Sequence, residues 1–76
     1  MWMNYRVILK TEREDGQICA SLPTLNNISD FGSTVEEALE NLRKLAQFAL
    51  ECMQADGAEI PPSDRNLNGR IYLSLR

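Results

Sequence analysis

Residues 34–54 constrain this chain more than any other stretch. Val35, Ala38, Leu39, Leu42, Ala46, Ala49, Leu50 and Met53 recur at intervals of three and four, which predicts one long α-helix with an apolar stripe. Thr34 is placed to cap its first turn, and Glu37 stands where a capping box needs a returning carboxylate. Glu36 and Glu37 also lie at the end where the helix dipole favours negative charge. Asp56-Gly57 supplies the stop, because glycine accepts the left-handed backbone common after a helix, and Pro61-Pro62 prevents resumption.

The flanking segments must cover that stripe. Residues 4–10 alternate, with Tyr5, Val7 and Leu9 on one face and Asn4, Arg6, Ile8 and Lys10 on the other, as a β-strand does. The apolar Ile8 implies that the second face is partly covered. Asp15-Gly16 is a hairpin signal, and residues 17–22 present Ile18, Ala20 and Leu22 together, so the first two strands should pair antiparallel. Asn26-Asn27 turns the chain, and Ile28 and Phe31 suggest a short third strand leading into Gly32. After a polar connection over residues 58–68 and an Asn68-Gly69 turn, residues 70–76 alternate, with Ile71, Leu73 and Leu75 inward. The expected fold is α+β, β-β-β-α-β: a three-stranded antiparallel meander with one helix on a single face. A right-handed crossover would add the fourth strand parallel to the first. Residues 1–76 read as a single domain.

One feature of the helix exceeds what its own sheet requires. Adding Leu45, Phe48 and Cys52 widens the apolar arc to roughly 200°, about twice a core-facing stripe. Two homes are open for the surplus. Phe48 and its neighbours could cover the connection at residues 58–67, or they could meet a partner or a second subunit. At 76 residues a lone copy buries a modest share of its surface, which makes assembly a reasonable expectation.

The chemistry on offer is sparse. The chain has no histidine, which removes the commonest general base and the commonest metal ligand. Eight basic residues against 11 acidic ones give a net charge of -3, which suits a basic partner and gives no general attraction to nucleic acid. Glu12, Glu14 and Asp15 cluster at the predicted hairpin, without the spacing of a known metal loop. Glu36, Glu37, Glu40 and Glu51 read as a solvated helix face, with Glu40 four residues before Lys44. Cys19 and Cys52 have neither a Cys-x-x-Cys spacing nor a histidine, and read as ordinary thiols. Ser21, Ser29 and Ser33 have no base to activate them. No catalytic residue, cofactor or metal is expected. The apolar runs are too short for a membrane span, and a cytoplasmic location is expected.

Four segments together resemble the HicB-like antitoxin domain. They are Tyr5-Arg6-Val7-Ile8-Leu9; Asp15-Gly16 followed by a strand ending Ser21-Leu22-Pro23-Thr24-Leu25; Gly32-Ser33-Thr34-Val35-Glu36-Glu37-Ala38-Leu39-Glu40-Asn41; and Gly57-Ala58-Glu59-Ile60-Pro61-Pro62. The resemblance spans residues 5–62, and its most specific part is the helix start combined with Ile-Pro-Pro downstream. Two departures stand out: Asn26-Asn27 replaces the family's usual Pro-Gly after the second strand, and residues 1–76 are expected to lack the DNA-binding appendage of many members.

The resemblance implies a partial ribonuclease-H-like fold without the acidic catalytic set. It also implies the antitoxin half of a toxin-antitoxin pair, occluding a small basic HicA-like toxin that cleaves mRNA, in a homodimer or larger assembly. Glu12, Glu14 and Asp15 would be candidate toxin-facing acids, and Leu45, Phe48 and Cys52 the partner or oligomer interface. In members with a ribbon-helix-helix appendage, a segment similar to residues 68–76 reads DNA, which would make Arg70, Tyr72 and Ser74 base readers. Without the two supporting helices, direct DNA binding is not expected. The alternative is a stand-alone homo-oligomeric regulatory or ligand-binding module with no toxin partner.

Overall fold

The computed structural model describes residues 3–11, 14–64 and 71–75. The elements are β1 (Met3–Thr11), β2 (Ile18–Leu22), β3 (Ile28–Gly32), α1 (Val35–Ala55) and β4 (Ile71–Leu75). They form an α+β arrangement of one four-stranded sheet, ordered β3-β2-β1-β4, with α1 on one face.

Local chemistry accounts for the element ends. The Thr34 hydroxyl accepts the Glu37 N–H at 3.1 Å, and among the described residues only that half of the expected capping box forms. Asp56 closes α1, and Gly57 follows with φ 70°. Between β2 and β3, Asn26 and Asn27 both adopt positive φ, 53° and 54°, which asparagine tolerates better than most residues. Gly16 has φ 71°, and the Asp15 carboxylate accepts the Gln17 N–H at 3.0 Å, so this turn is stabilised from within.

The core lies between α1 and the sheet. Ala38, Leu42, Ala46 and Leu50 of the helix are buried against Tyr5, Val7, Ala20, Leu22, Leu25 and Leu75. The helix packs chiefly on β3, then β2, with a smaller contact to β4. Its first turn comes close to β3 at Gly32, where a Cβ would stand 2.4 Å from the Ala38 nitrogen. Only a glycine permits that approach. Ile8 lies on the opposite face, 36% exposed, beside half-buried Ser21 of β2.

The fourth strand corrects the expected topology. It runs antiparallel to β1, with Met3 opposite Leu75 and Val7 opposite Ile71. The crossover rule governs connections between parallel strands, and here residues 56–70 separate α1 from β4. That length lets the chain double back before it re-enters the sheet. The register shows where. β2 pairs only with Ile8 to Thr11 of β1, which leaves the first half of β1 open on the β2 side. Residues 63–64 fill this gap: the Asn4 N–H donates to the Ser63 hydroxyl at 3.0 Å, the Asp64 N–H to the Asn4 carbonyl at 2.8 Å, and the Arg6 N–H to the Asp64 carboxylate at 2.8 Å. The second Asp64 oxygen accepts from the Thr24 hydroxyl at 2.6 Å. One carboxylate thus ties the connection to both β1 and the β2-β3 turn. The segment advances along β1 in the same sense as β1 itself, and β4 then begins opposite Val7 and returns.

Tyr5 holds the same connection from the core side. Its ring is fully buried and its hydroxyl donates to the Pro61 carbonyl at 2.5 Å. Burial, and then the nearby Asp64 charge, raise its pKa above the ordinary 10.0. A pKa raised by folding contributes stability that is intact below the unfolded value and lost as pH climbs through the folded one. The urea midpoint should therefore fall as pH rises past about 10, and Tyr5→Phe should flatten that fall; identical alkaline slopes in the two proteins would refute the assignment. Gly32→Ala should cost about 1–3 kcal/mol through overpacking against the helix backbone, measured as a lower urea midpoint at unchanged slope.

Candidate functional site

The surplus apolar residues of α1 are on the surface. Phe48 is 63% exposed, Leu45 is 37% exposed, and Cys52 is an exposed free thiol. Of the two homes open to them, the described part of the connection is not one. Ile60 packs on the core, Pro61 meets Tyr5, and Ser63 and Asp64 bond to β1.

Asn41 fixes the direction in which this flank points. Its side-chain amide donates to the Phe31 carbonyl of β3 at 2.8 Å. At about 100° per residue, Asn41 projects between Leu45 and Cys52 on one side and Phe48 on the other. All four therefore share the flank that overhangs β3, an outer strand of the sheet. Phe31 also has its N–H taken, by the Asp30 carboxylate at 2.8 Å. Strand polar groups alternate between the two neighbours, so Asp30 and Asn41 together satisfy the Phe31 groups on the open side of β3. A partner approaching here meets the helix flank and finds part of the strand edge already occupied.

The charges beside the flank are arranged differently from expectation. Glu40 pairs with Arg43 rather than Lys44, through two contacts of 2.6 and 3.0 Å. That contact, before any other influence, lowers the Glu40 pKa. Lys44 and Glu51, seven residues apart, have no ion pair among the described residues.

The hairpin acids occupy another region. Thr11 of β1, Ile18 of β2 and Gly32 of β3 are cross-strand neighbours in one row. The β1-β2 hairpin and the start of α1 therefore lie at the same end of the molecule. Exposed Glu14 and Asp15 share that end with exposed Glu36 and Glu37. Spacing along the chain could not reveal this grouping, because residues 15 and 36 are brought to one end only by the sheet register. Glu12 lies outside the described residues. Among those described, no three of the His, Cys, Asp and Glu side chains come together as a metal site would require.

The outer sheet face holds the remaining candidates. Tyr72 is half-buried opposite Arg6, and the Ser74 hydroxyl donates to the Asn4 side-chain carbonyl at 2.6 Å, while Arg70 lies outside the described residues. Cys19 sits half-buried on this face between Lys10 and Phe31. Among the described residues, no helix is long and apolar enough to cross a membrane.

Comparison with known protein families, with curated proteins and with solved structures finds no match to this chain. The geometry offers two surfaces for association, the apolar flank over β3 and the acidic end, and it separates them. Because Phe48 projects outward while Leu42 is fully buried, Leu42→Ala should cost about 2–5 kcal/mol, whereas Phe48→Ser should change monomer stability by less than about 0.5 kcal/mol. Urea titration at low protein concentration checks both, and a large loss from Phe48→Ser would place its ring in the monomer core.

Proposed function

We propose that this chain is a non-catalytic, antitoxin-type binding protein that neutralises a small basic mRNA-cleaving toxin by covering its RNA-binding surface. The reading rests on the sequence resemblance to the HicB-like domain. The observation that supports it best is the acidic end, where the hairpin carboxylates Glu14 and Asp15 share one pole with Glu36 and Glu37. Carboxylates on a hairpin turn and a helix start offer partners to cations that otherwise contact RNA phosphates. Such complementarity speeds encounter and fixes register more than it adds raw affinity. Inhibition is then steric, with the bound domain occupying the surface that mRNA would need. The strand order β3-β2-β1-β4 is compatible with this use, although β4 runs opposite to the direction expected.

A stand-alone homo-oligomeric module is the second reading, favoured by the exposed Phe48 flank. The two readings separate on one experiment. A small basic protein encoded beside this chain should co-purify with it and lose its mRNA cleavage in the complex. Glu14→Gln with Asp15→Asn should slow association about 3–10-fold at low salt, with the effect shrinking as salt rises. Tight binding that is insensitive to both substitutions and salt would move the contact away from the acidic end. Failure of any such basic protein to bind would leave the oligomeric module.

A further inference from the structure

We propose that two copies of this chain associate through α1 as an antiparallel, two-fold-related helix pair, with Leu45 of each copy packed on Phe48 of the other and Lys44 facing Glu51 across the seam. The proposal deepens the reading of the Leu45, Phe48 and Cys52 flank as an association surface, on which it rests, and is independent of any toxin.

The pattern on the helix carries the argument. Leu45 and Cys52 are seven residues apart with Phe48 between them, the i, i+3, i+7 spacing that forms one seam against a second helix. Toward the core, the seam is bordered by buried Leu42 and half-buried Ala49. On the outer side it is bordered by exposed Lys44 and Glu51. These two also stand seven residues apart, carry opposite charges, and have no ion pair among the described residues. In a parallel pair the outer flank of one helix meets the inner flank of its partner, so Lys44 and Glu51 would have no counter-charge. In an antiparallel pair the outer flanks meet each other. The reversal then sets Lys44 near the partner's Glu51, and the two-fold axis repeats the contact in the other sense.

The rest of the fold leaves room for this arrangement. The flank overhangs β3, and the Phe31 polar groups on the open side of that strand are already taken by Asp30 and Asn41. The association is therefore carried by helix against helix, without a continuous sheet. An isologous contact of this kind closes on itself as a dimer, and it removes Phe48, the most exposed large apolar side chain among the described residues, from water.

Sedimentation velocity from micromolar to millimolar chain should show the mass rising from 8.6 kDa toward twice that value. Phe48→Asp should raise the dissociation constant by at least ~30-fold, while circular dichroism of the dilute variant stays that of the wild type. Lys44→Glu and Glu51→Lys should each weaken the dimer about 3–10-fold by placing like charges across the seam, and the double variant should recover to within about twofold. In a Cys19→Ser background, oxidation should not cross-link the dimer through Cys52, because the antiparallel register separates the two thiols by roughly 16 Å along the helices. A wild type that stays monomeric at millimolar concentration overturns both the surface and the geometry. A dimer that dissociates with Phe48→Asp but ignores the charge exchange, or that cross-links through Cys52, keeps the surface and overturns the antiparallel geometry.

Discussion

A single helix cannot roof a four-stranded sheet, and this mismatch of widths governs the rest of the molecule. Strands spaced about 4.8 Å apart make a sheet wider than the roughly 10 Å that one helix covers. In this chain α1 sits toward β3 and β2, held close by the absence of a side chain at Gly32. Two consequences follow from that offset. One flank of the helix projects past β3, and the β1-β4 half of the sheet needs another cover.

The second need is met from within. Tyr5 fills the inner face of β1, and its hydroxyl reaches the Pro61 carbonyl, so the connection after α1 is drawn down beside the helix, which packs chiefly on β3 and β2. Asp64 completes the closure with three hydrogen bonds, two accepted by its carboxylate and one donated by its own N–H. Two of them satisfy backbone groups of β1 that β2 is too short to reach, and the third comes from the Thr24 hydroxyl. A buried phenol and one carboxylate thus do what a second helix does in larger α+β domains. The cost is sensitivity to alkaline pH, because the phenol is held neutral by burial and by a neighbouring negative charge.

The first consequence points outward. Leu45, Phe48 and Cys52 are not surplus by composition; they are left over because the helix lies to one side of its sheet. Lys44 and Glu51 beside them form no ion pair among the described residues, while Glu40 and Arg43, farther round the helix, pair with each other. The acidic end arises separately, from a hairpin and a helix start that the sheet register brings to the same pole. The molecule therefore presents an apolar flank and an acidic end as distinct surfaces, which would allow self-association and capture of a basic partner to proceed together.

The sequence by itself determined the elements. Periods of 3.6 and 2 residues, the Thr34 cap and the turns at Asp15-Gly16 and Asn26-Asn27 are local, and local signals placed α1 and the first three strands within one or two residues. It also marked Leu45, Phe48 and Cys52 as more than one sheet needs, because helical angle is a property of spacing alone. Only the tertiary structure decided the direction of β4, since alternation is the same read either way along a strand. The sense was set by hydrogen bonds from Ser63 and Asp64 to a stretch of β1 far away in sequence. It also decided that the described part of the connection goes to β1 instead of covering Phe48, and that Glu40 hydrogen-bonds to Arg43, with Lys44 a weaker electrostatic neighbour. Each outcome is a competition among partners distant in the chain or equal in spacing, and such competitions are resolved by packing.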